Sequence, residues 1–195
     1  MIPRSFLRAL GKPGLHVVYG GPSSFKTAFS LSAALHITKS KVLYVGLARH
    51  SLLHPEPSDR VAVAAVPNLK QELHFLLSLD LIPDNIDVVV YDGFSAYYLP
   101  LRFYMRESAI TRLQLLAASK LYALAASRAV PVLVTTQEVS GRRPLAYRVL
   151  RFYAQDFVRL ERTEAGLRLV LAGKDLDERL SASLEPEELG VEKQK

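Results

Sequence analysis

The sequence predicts a single α/β domain with a mostly parallel, twisted sheet, helices on both faces and an antiparallel hairpin at the C-terminal end. Short apolar runs rich in β-branched residues alternate with segments of helical periodicity, which is the pattern of a parallel sheet covered on both faces. After residue 150, apolar and polar residues alternate on either side of a glycine, which is typical of a hairpin. A length of 195 residues is that of one domain.

The four apolar runs are the predicted parallel strands. They cover residues 15–20, 42–46, 87–92 and 130–136. Two further strands, at 156–162 and 168–172, form the predicted hairpin around a turn at 164–166. We assign residues 1–184 to the domain and residues 185–195, which are rich in charge, to a flexible C-terminal tail.

Helical segments separate the strands and predict right-handed crossovers between them. They cover residues 26–39, 68–79 and 106–128. The second helix carries a leucine stripe at the spacing of one buried face, formed by Leu69, Leu73, Leu76 and Leu77. In the longest helix the expected buried face consists of Leu113, Leu116, Leu121 and Leu124.

Composition excludes several classes of function. The absence of cysteine excludes disulfides, thiolate metal sites and cysteine nucleophiles. No apolar run approaches the ~18 residues of a membrane span, and the N-terminus lacks the apolar core of a signal peptide, so we expect a cytoplasmic protein without a membrane partner. The absence of cysteine and tryptophan, together with 2 methionines and 11 prolines, suits a thermophilic source.

The charge balance points to the kind of partner. A net charge of +6 and a pI near 9.6 favour an anionic partner such as nucleic acid or nucleotide. The alternative is a charge that only keeps the protein dispersed. Charge by itself does not decide between them.

A glycine-rich segment, Gly20–Thr27, lies where the first strand gives way to the first helix, which is the position of a phosphate-binding loop. In such loops, backbone N–H groups at the helix N-terminus hold phosphates, a lysine reaches the terminal phosphate oxygens and a threonine binds Mg²⁺. The segment thus predicts a site for ATP and Mg²⁺, the alternative being a turn that only looks like such a loop. The candidate binding residues are Gly20, Gly21, Ser23, Ser24, Phe25, Lys26 and Thr27.

Phe25 departs from the pattern, which has glycine immediately before the lysine. Phenylalanine keeps the backbone N–H, but it disfavours positive φ and adds a ring where the backbone approaches phosphate. Retaining the usual loop shape would cost about 1–3 kcal/mol of strain. We therefore expect ATP binding to be weak or lost, or the loop to have another shape.

A second motif, Val88–Asp92, is an apolar strand that ends in a carboxylate. In phosphate-loop proteins, an aspartate at this place holds the Mg²⁺ shell at the C-terminal edge of the sheet. Thr27 and Asp92 are therefore the predicted metal-site residues. A carboxylate at a strand end is also common as a helix cap, which is the alternative.

These motifs resemble the RecA/RadA recombinase family, and in particular its short archaeal RadA paralogs, over residues 12–180. The resemblance implies a RecA-like phosphate-loop NTPase core, with the KaiC-like branch of the same superfamily as an alternative. It also implies that Gln137 senses the γ-phosphate, a catalytic role, and couples it to DNA-binding loops. Its carriers are residues 20–27, 42–46 and 87–95, Arg112–Gln114 and Thr135–Gln137.

Two features of the family are missing. The carboxylate that activates the attacking water aligns with Ala48, and losing a general base lowers hydrolysis by typically ~10²–10⁴-fold. The segment before the first strand is too short for the family's N-terminal DNA-binding domain. We therefore expect a degenerate ATPase whose hydrolysis is weak or absent.

The resemblance places single-stranded DNA at the two loops that follow the strands at 87–92 and 130–136. Both loops combine arginines with aromatic residues, as single-strand platforms do. The predicted DNA-binding residues are Arg102, Arg106, Arg142, Arg143 and Arg148. Their aromatic neighbours are Phe94, Tyr97, Tyr98, Phe103, Tyr104 and Tyr147. The alternative is that the aromatic rings pack against neighbouring helices and the arginines are only solvated.

The predicted function is that of an accessory or mediator of homologous recombination and DNA repair. It binds single-stranded DNA and contacts a RadA-type recombinase or a second copy of itself. A Phe-x-x-Ala pattern at Phe6–Ala9 is of the kind that joins recombinase protomers, but the pattern is short and Phe25–Ala28 matches it too, so we interpret it as a chance match. The alternative is that the N-terminal segment docks on a RadA subunit or a second copy. The alternatives are an active DNA-stimulated ATPase with a non-standard loop and a pseudo-ATPase scaffold for protein contacts.

Overall fold

A computed structural model describes residues 1–47, 59–139, 142–164 and 166–189 of the chain. Its helices are α1 (Arg4–Leu10), α2 (Lys26–Ile37), α3 (Leu69–Leu77), α4 (Tyr98–Leu101), α5 (Glu107–Arg128) and α6 (Tyr147–Tyr153). Its strands are β1 (Gly14–Gly20), β2 (Lys41–Gly46), β3 (Val61–Ala65), β4 (Ile86–Asp92), β5 (Pro131–Val139), β6 (Arg143–Pro144), β7 (Ala154–Thr163), β8 (Gly166–Ala172) and β9 (Glu178–Leu184).

The strands form one sheet in the order β3-β2-β4-β5-β1-β7-β8-β9, with the short β6 paired to β5. Pairing is parallel from β3 to β7, and β8 and β9 are added antiparallel at the C-terminal end. The predicted α/β class, with a mostly parallel sheet and an antiparallel C-terminal hairpin, is confirmed. Helix α2 follows β1 on one face and α5 follows β4 on the other, an arrangement that opens a crevice at the C-terminal strand ends.

The two faces of the sheet bury separate apolar clusters. All seven residues of β1 are buried, and alternate side chains project to opposite faces. Val17 and Tyr19 pack in the cluster under α3, α5 and α6, whereas Val18 packs in the cluster under α1 and α2. Strands buried on both faces have no polar alternation, which explains why β1, β2, β4 and β5 are continuous apolar runs.

Strands β3 and β9 and helices α1 and α6 were not predicted. Strand β3 lies at the edge of the sheet and its residues are partly exposed, so its sequence lacks the signature of a strand buried on both faces. Strand β9 is the opposite edge and is also largely exposed. Helices α1 and α6 have seven residues each, too few for a helical periodicity to stand out.

The buried faces of α3 and α5 differ from the predicted leucine stripes. In α3, Leu77 is 62% exposed whereas Glu72 is only 1% exposed. Glu72 is held inside because the Tyr91 hydroxyl donates a hydrogen bond of 2.7 Å to its Oε1. In α5, Leu121 and Leu124 are buried as predicted, whereas Leu113 and Leu116 are only partly buried. The rest of the buried face consists of Ile110, Gln114, Ala117, Ala118 and Ala125.

The predicted tail, residues 185–195, begins with a short 3-10 helix, Pro186–Leu189, in which Leu189 is buried against the α1–α2 cluster. Residues 190–195 lie outside the described part of the chain, so their predicted flexibility stays a prediction. None of the described helices is long and apolar enough to cross a membrane.

Candidate nucleotide cleft and nucleic-acid interface

The segment predicted as a phosphate loop joins the end of β1 to the start of α2. Gly20 pairs with Gln137 of β5 and Leu160 of β7, so the backbone there is enclosed on both sides. A Cβ at Gly20 would stand 2.4 Å from the Leu160 carbonyl oxygen and 2.6 Å from Ser24 Oγ. Glycine is therefore required at position 20, whereas a Cβ at Gly21 would meet nothing within 4 Å.

Phe25 takes the left-handed conformation, φ 59° and ψ 26°, in which glycine carries no steric penalty. This conformation costs a non-glycine residue about 1–2 kcal/mol. The ring packs against the α1–α2 cluster, with the Arg162 guanidinium carbon 5.6 Å from its centroid. That contact, worth about 0.5–1 kcal/mol, offsets part of the strain. The Phe25 ring thus points away from the space above the loop.

Lys26 lies folded over its own loop. Its Nζ donates to the carbonyl oxygens of Gly20 at 3.1 Å and Gly21 at 2.7 Å, and to Ser24 Oγ at 3.2 Å. Burial lowers the pKa of Lys26, and the negative charge of Asp92 partly opposes that shift. The ammonium group is thereby held at the mouth of the loop, where it can meet an incoming phosphate.

The Asp92 carboxylate accepts hydrogen bonds from hydroxyl groups on three different elements. Its Oδ2 accepts hydrogen bonds from Thr27 Oγ1 at 2.9 Å and from the Tyr44 hydroxyl at 2.6 Å. Its Oδ1 accepts a hydrogen bond from Thr135 Oγ1, and the residue is only 5% exposed. Thr27 and Asp92 fit a Mg²⁺ site, because they present hard oxygen donors side by side at the loop.

A cleft of about 350 Å³ opens between the phosphate loop and the C-terminal ends of β4 and β5. Its walls come from four separate stretches of chain, and Asp92 is the sole carboxylate among the described residues that line it. The lining residues are Pro22, Ser23, Lys26, Thr27, Asp92, Gly93, Phe94, Ser95, Ala96, Leu99, Thr135, Thr136, Gln137 and Leu145. Phe25 is not one of them.

Gln137 lies in the wall of this cleft, opposite Gly20 in the neighbouring strand. Its side chain is exposed, and its carbonyl oxygen accepts a hydrogen bond of 2.7 Å from the Leu145 N–H. The structure thus brings Gln137 together with Lys26, Thr27 and Asp92, as expected for a residue that contacts a terminal phosphate. Ala48, the position aligned with the missing catalytic carboxylate, lies outside the described residues.

The first predicted DNA-facing loop divides its aromatic residues between the core and the surface. Phe94 and Tyr98 are buried, at 2% and 1% exposure. Phe103 and Tyr104 are instead 87% and 85% exposed. Arg102 and Arg106, on either side of this pair, are exposed as well. The core-packing alternative therefore holds for the base of the loop and fails at its tip.

The second predicted DNA-facing loop presents Arg142 and Arg143 at the surface, and Arg148 is exposed on α6. Arg142 lies 3.9 Å from Glu161, a long contact at a side chain that is 71% exposed. The guanidinium carbon of Arg143 lies 5.8 Å from the ring centroid of Tyr147. These three arginines are therefore available to an anionic partner.

Both loops leave the same edge of the sheet. Strands β4 and β5 are parallel neighbours, and beyond the end of β4 the Phe94 N–H donates a hydrogen bond of 2.8 Å to the Thr135 carbonyl oxygen of β5. The Thr136 hydroxyl also lies 3.4 Å from the Phe94 carbonyl oxygen. The first loop therefore starts beside β5, immediately beyond the cleft that contains Lys26 and Asp92, whereas β5 continues to Val139 before the second loop starts.

No protein-family model and no curated protein matches this chain. Among solved structures, the chain is similar to the RadB recombinase, with a TM-score of 0.68 and 22% sequence identity. The similarity covers 88% of this chain and 86% of that chain. The fold is RecA-like. The predicted fold class is thereby confirmed, and at this level of identity the similarity establishes the fold alone.

The hydrogen bonds that Tyr44 and Thr135 donate to Asp92 were not predicted. Both residues lie in segments that carry the resemblance, 42–46 and 135–137, but neither was given a role in the site. Tyr44 is two residues before the end of β2, on the same face as Val42. A tyrosine or threonine close to the C-terminal end of a buried parallel strand is the signal that would have identified them.

The Phe-x-x-Ala segment at Phe6–Ala9 forms part of α1 rather than a free docking segment. Phe6 is 0% exposed and packs inside the cluster under α1 and α2. The ring is thus occupied by the chain's own core. The Phe6 ring is therefore not exposed to another protomer.

Proposed function

We propose that this RecA-like domain is a DNA-binding accessory of homologous recombination and repair. It binds single-stranded DNA at the two loops, holds Mg-ATP in the cleft and hydrolyses it weakly or not at all. The observation that carries the proposal is the exposed pair Phe103–Tyr104, flanked by Arg102 and Arg106, beside the arginines of the second loop.

The exposure of Phe103 and Tyr104 needs an explanation. Rings of this size are rarely left more than four-fifths exposed in adjacent positions, because burying such a side chain is worth about 1.5–3 kcal/mol. Stacking of a nucleobase on each ring would contribute about 1–3 kcal/mol, and flanking arginines would neutralise the phosphates between the bases.

The cleft supports ATP binding more strongly than ATP turnover. Lys26, Thr27 and Asp92 have the chemistry to hold phosphates and Mg²⁺, and Phe25 takes the left-handed backbone conformation that a glycine would take without strain. Asp92 is already engaged by three hydroxyl groups, and no other carboxylate lines the described cleft. A general base for the attacking water is therefore missing from this part of the site.

Fluorescence anisotropy with a labelled (dT)20 oligonucleotide tests the DNA half of the proposal. The double variant Phe103→Ser plus Tyr104→Ser should weaken binding at least ten-fold, since two stacking platforms are lost. The matched control is Leu77→Ser plus Leu81→Ser, which removes two side chains of 62% and 81% exposure. These residues precede the start of β4, whereas the first loop follows its end. Equal affinities of the loop variant and the wild type would exclude stacking at the loop tip.

Protein contact remains part of the proposal. A RadA-type recombinase or a second copy is the expected partner, and the buried Phe6 means that another surface must make the contact. Sedimentation velocity of the chain alone and mixed with a RadA-type recombinase distinguishes the two partners.

A further inference from the structure

A second cavity, of about 310 Å³, lies next to the second loop and has no lining residue in common with the nucleotide cleft. It opens on the α5–α6 face of the sheet, because Tyr19 packs in the cluster on that face. Tyr19 and Tyr147 form its walls, Val170 and Ala172 of β8 its apolar floor, and Arg142 and Arg143 contribute to its rim. We call it the tyrosine–arginine pocket.

Two polar groups of the pocket lack protein partners. The Tyr19 hydroxyl makes no hydrogen bond with any described residue and reaches the open space of the pocket, although the rest of the side chain is buried. Burial raises the pKa of Tyr19 to about 12, so the hydroxyl keeps its proton and stays a donor. Arg159 Nε is buried without a partner in the described part of the chain. An unpaired buried donor costs free energy, and an acceptor bound beside Arg159 would relieve that cost.

Positive charge exceeds negative charge around the pocket. The Glu161 carboxylate forms ion pairs with three guanidinium groups, those of Arg159 at 2.6 Å, Arg168 at 3.4 Å and Arg142 at 3.9 Å. Arg168 also contacts Glu178, a lining residue, at 3.3 Å. Arg143, for which the described residues provide no acidic partner, adds a fourth arginine, and Glu138, whose charge acts on Tyr19, adds a third glutamate. The group therefore has four arginines to three glutamates.

The acidic group at the rim is already neutralised. Asp175 lines the pocket and lies 3.6 Å from Arg151 of α6. Its charge thus opposes an incoming anion less than a lone carboxylate would. The surplus of arginine charge is what a phosphate group would meet at the rim.

The Tyr147 ring is fixed in position as a platform. Its hydroxyl donates a hydrogen bond of 2.7 Å to the Lys174 carbonyl oxygen, and its edge packs on Phe157 with centroids 5.8 Å apart. Arg143 and Arg151 each lie 5.8 Å from its centroid. A ring held from several sides loses little conformational entropy when a base stacks on it.

We propose that the tyrosine–arginine pocket binds one nucleotide unit of single-stranded DNA, with the base against Tyr147 and the phosphate at Arg142 and Arg143. The inference rests on the proposed function and adds a subsite to it. The volume is near the lower limit for small-ligand sites, which suits one nucleotide better than a longer segment. An acidic peptide is the competing occupant, and the experiment includes it.

Three variants of the full chain separate the contributions. Tyr147→Leu removes the platform and should weaken (dT)20 binding about 5- to 100-fold, whereas Tyr147→Phe retains the ring and should stay within about two-fold of wild type. Tyr19→Phe removes only the hydroxyl donor and should weaken binding about 2- to 10-fold. Thermal unfolding followed by circular dichroism verifies that each variant is folded.

Photo-crosslinking locates the base independently of affinity. A (dT)20 oligonucleotide with 5-iododeoxyuridine at single positions is irradiated with the wild-type protein, and the attached peptides are identified by mass spectrometry. The pocket predicts crosslinks to Tyr19 or Tyr147 as well as to the first loop. This measurement decides the question even if Tyr147→Leu fails to fold.

The outcomes distinguish the pocket from the proposed function. Crosslinks confined to Phe103 or Tyr104, with unchanged affinity of Tyr19→Phe, would overturn the pocket and leave the DNA-binding proposal standing. Absence of (dT)20 binding by the wild type would overturn both. If a polyglutamate peptide lost binding to Tyr19→Phe or Tyr147→Leu while DNA affinity was unchanged, the pocket would be a site for acidic peptides and the nucleotide subsite would be wrong.

Discussion

The hydroxyl of Tyr44 should contribute measurably to stability, because it is one of three donors to the buried carboxylate of Asp92. The Tyr44→Phe variant removes that hydroxyl and leaves the ring, so no cavity of ring size is created. The side chain is 0% exposed and water cannot readily replace the donor. Hydrogen bonds to charged groups are worth about 1.5–3 kcal/mol, and we expect the free energy of unfolding to fall by that amount.

Urea unfolding followed by circular dichroism measures this change. With a slope of about 1–3 kcal/mol per molar urea, the midpoint should move down by roughly 1 M while the slope stays constant. The matched control is Tyr104→Phe, which removes the same atom from a ring that is 85% exposed and should change stability by less than ~0.5 kcal/mol. Equal midpoints for Tyr44→Phe and the wild type would refute the hydroxyl network around Asp92.

Three further predictions concern the cleft and the core. Isothermal calorimetry should show that Lys26→Ala binds Mg-ATP at least ten-fold more weakly than the wild type. The affinity of Phe25→Gly should stay within about three-fold of wild type, because the ring lies against Arg162 rather than in the cleft. A much higher affinity of Phe25→Gly for Mg-ATP would mean that the ring obstructs phosphate. Gly20→Ala should lower the melting temperature by several degrees, since its Cβ would press on the Leu160 carbonyl, and an unchanged melting temperature would contradict the enclosed backbone. Burial raises the pKa of Glu72. Its contribution to stability is therefore fully present below the unfolded-state pKa, near 4.5, and is lost as pH rises through the folded-state pKa. Urea unfolding at pH values on both sides of these two pKa values should show a free energy of unfolding that falls with pH for the wild type and lacks this fall for Glu72→Gln.

The central part of the fold was predictable because burial on both faces leaves a strong pattern in the sequence. Strands β1, β2, β4 and β5 are continuous apolar runs, and their observed ends differ from the predicted ones by three residues or fewer. The edge strands β3 and β9 were missed because exposure on one side removes that pattern. In α3, Leu76 is buried as predicted, but Leu77 is exposed and Glu72 is buried, since a tyrosine in β4 supplies the hydrogen bond to the glutamate.

The cleft was predictable in its glycine-loop and acidic-strand motifs but not in its supporting contacts. Lys26, Thr27, Asp92 and Gln137 come together as the order of strands requires. The direction of the Phe25 ring depends on Arg162, which is far away in sequence and adjacent only once β7 pairs with β1. The tyrosine–arginine pocket was not predictable either, because its residues come from five strands, one helix and two connecting segments.

The salt dependence of single-strand binding tests the central claim most directly. The logarithm of the affinity for (dT)20 is measured against the logarithm of salt concentration for the wild type, for Arg142→Ala plus Arg143→Ala, and for the control Arg4→Ala plus Arg8→Ala. The control removes the same charge from exposed positions on α1. We predict that the loop variant binds more weakly and that its slope is smaller by about 1.4, since each lost phosphate contact removes roughly 0.7. A loop variant with the affinity and slope of the control would contradict DNA binding at this edge of the sheet.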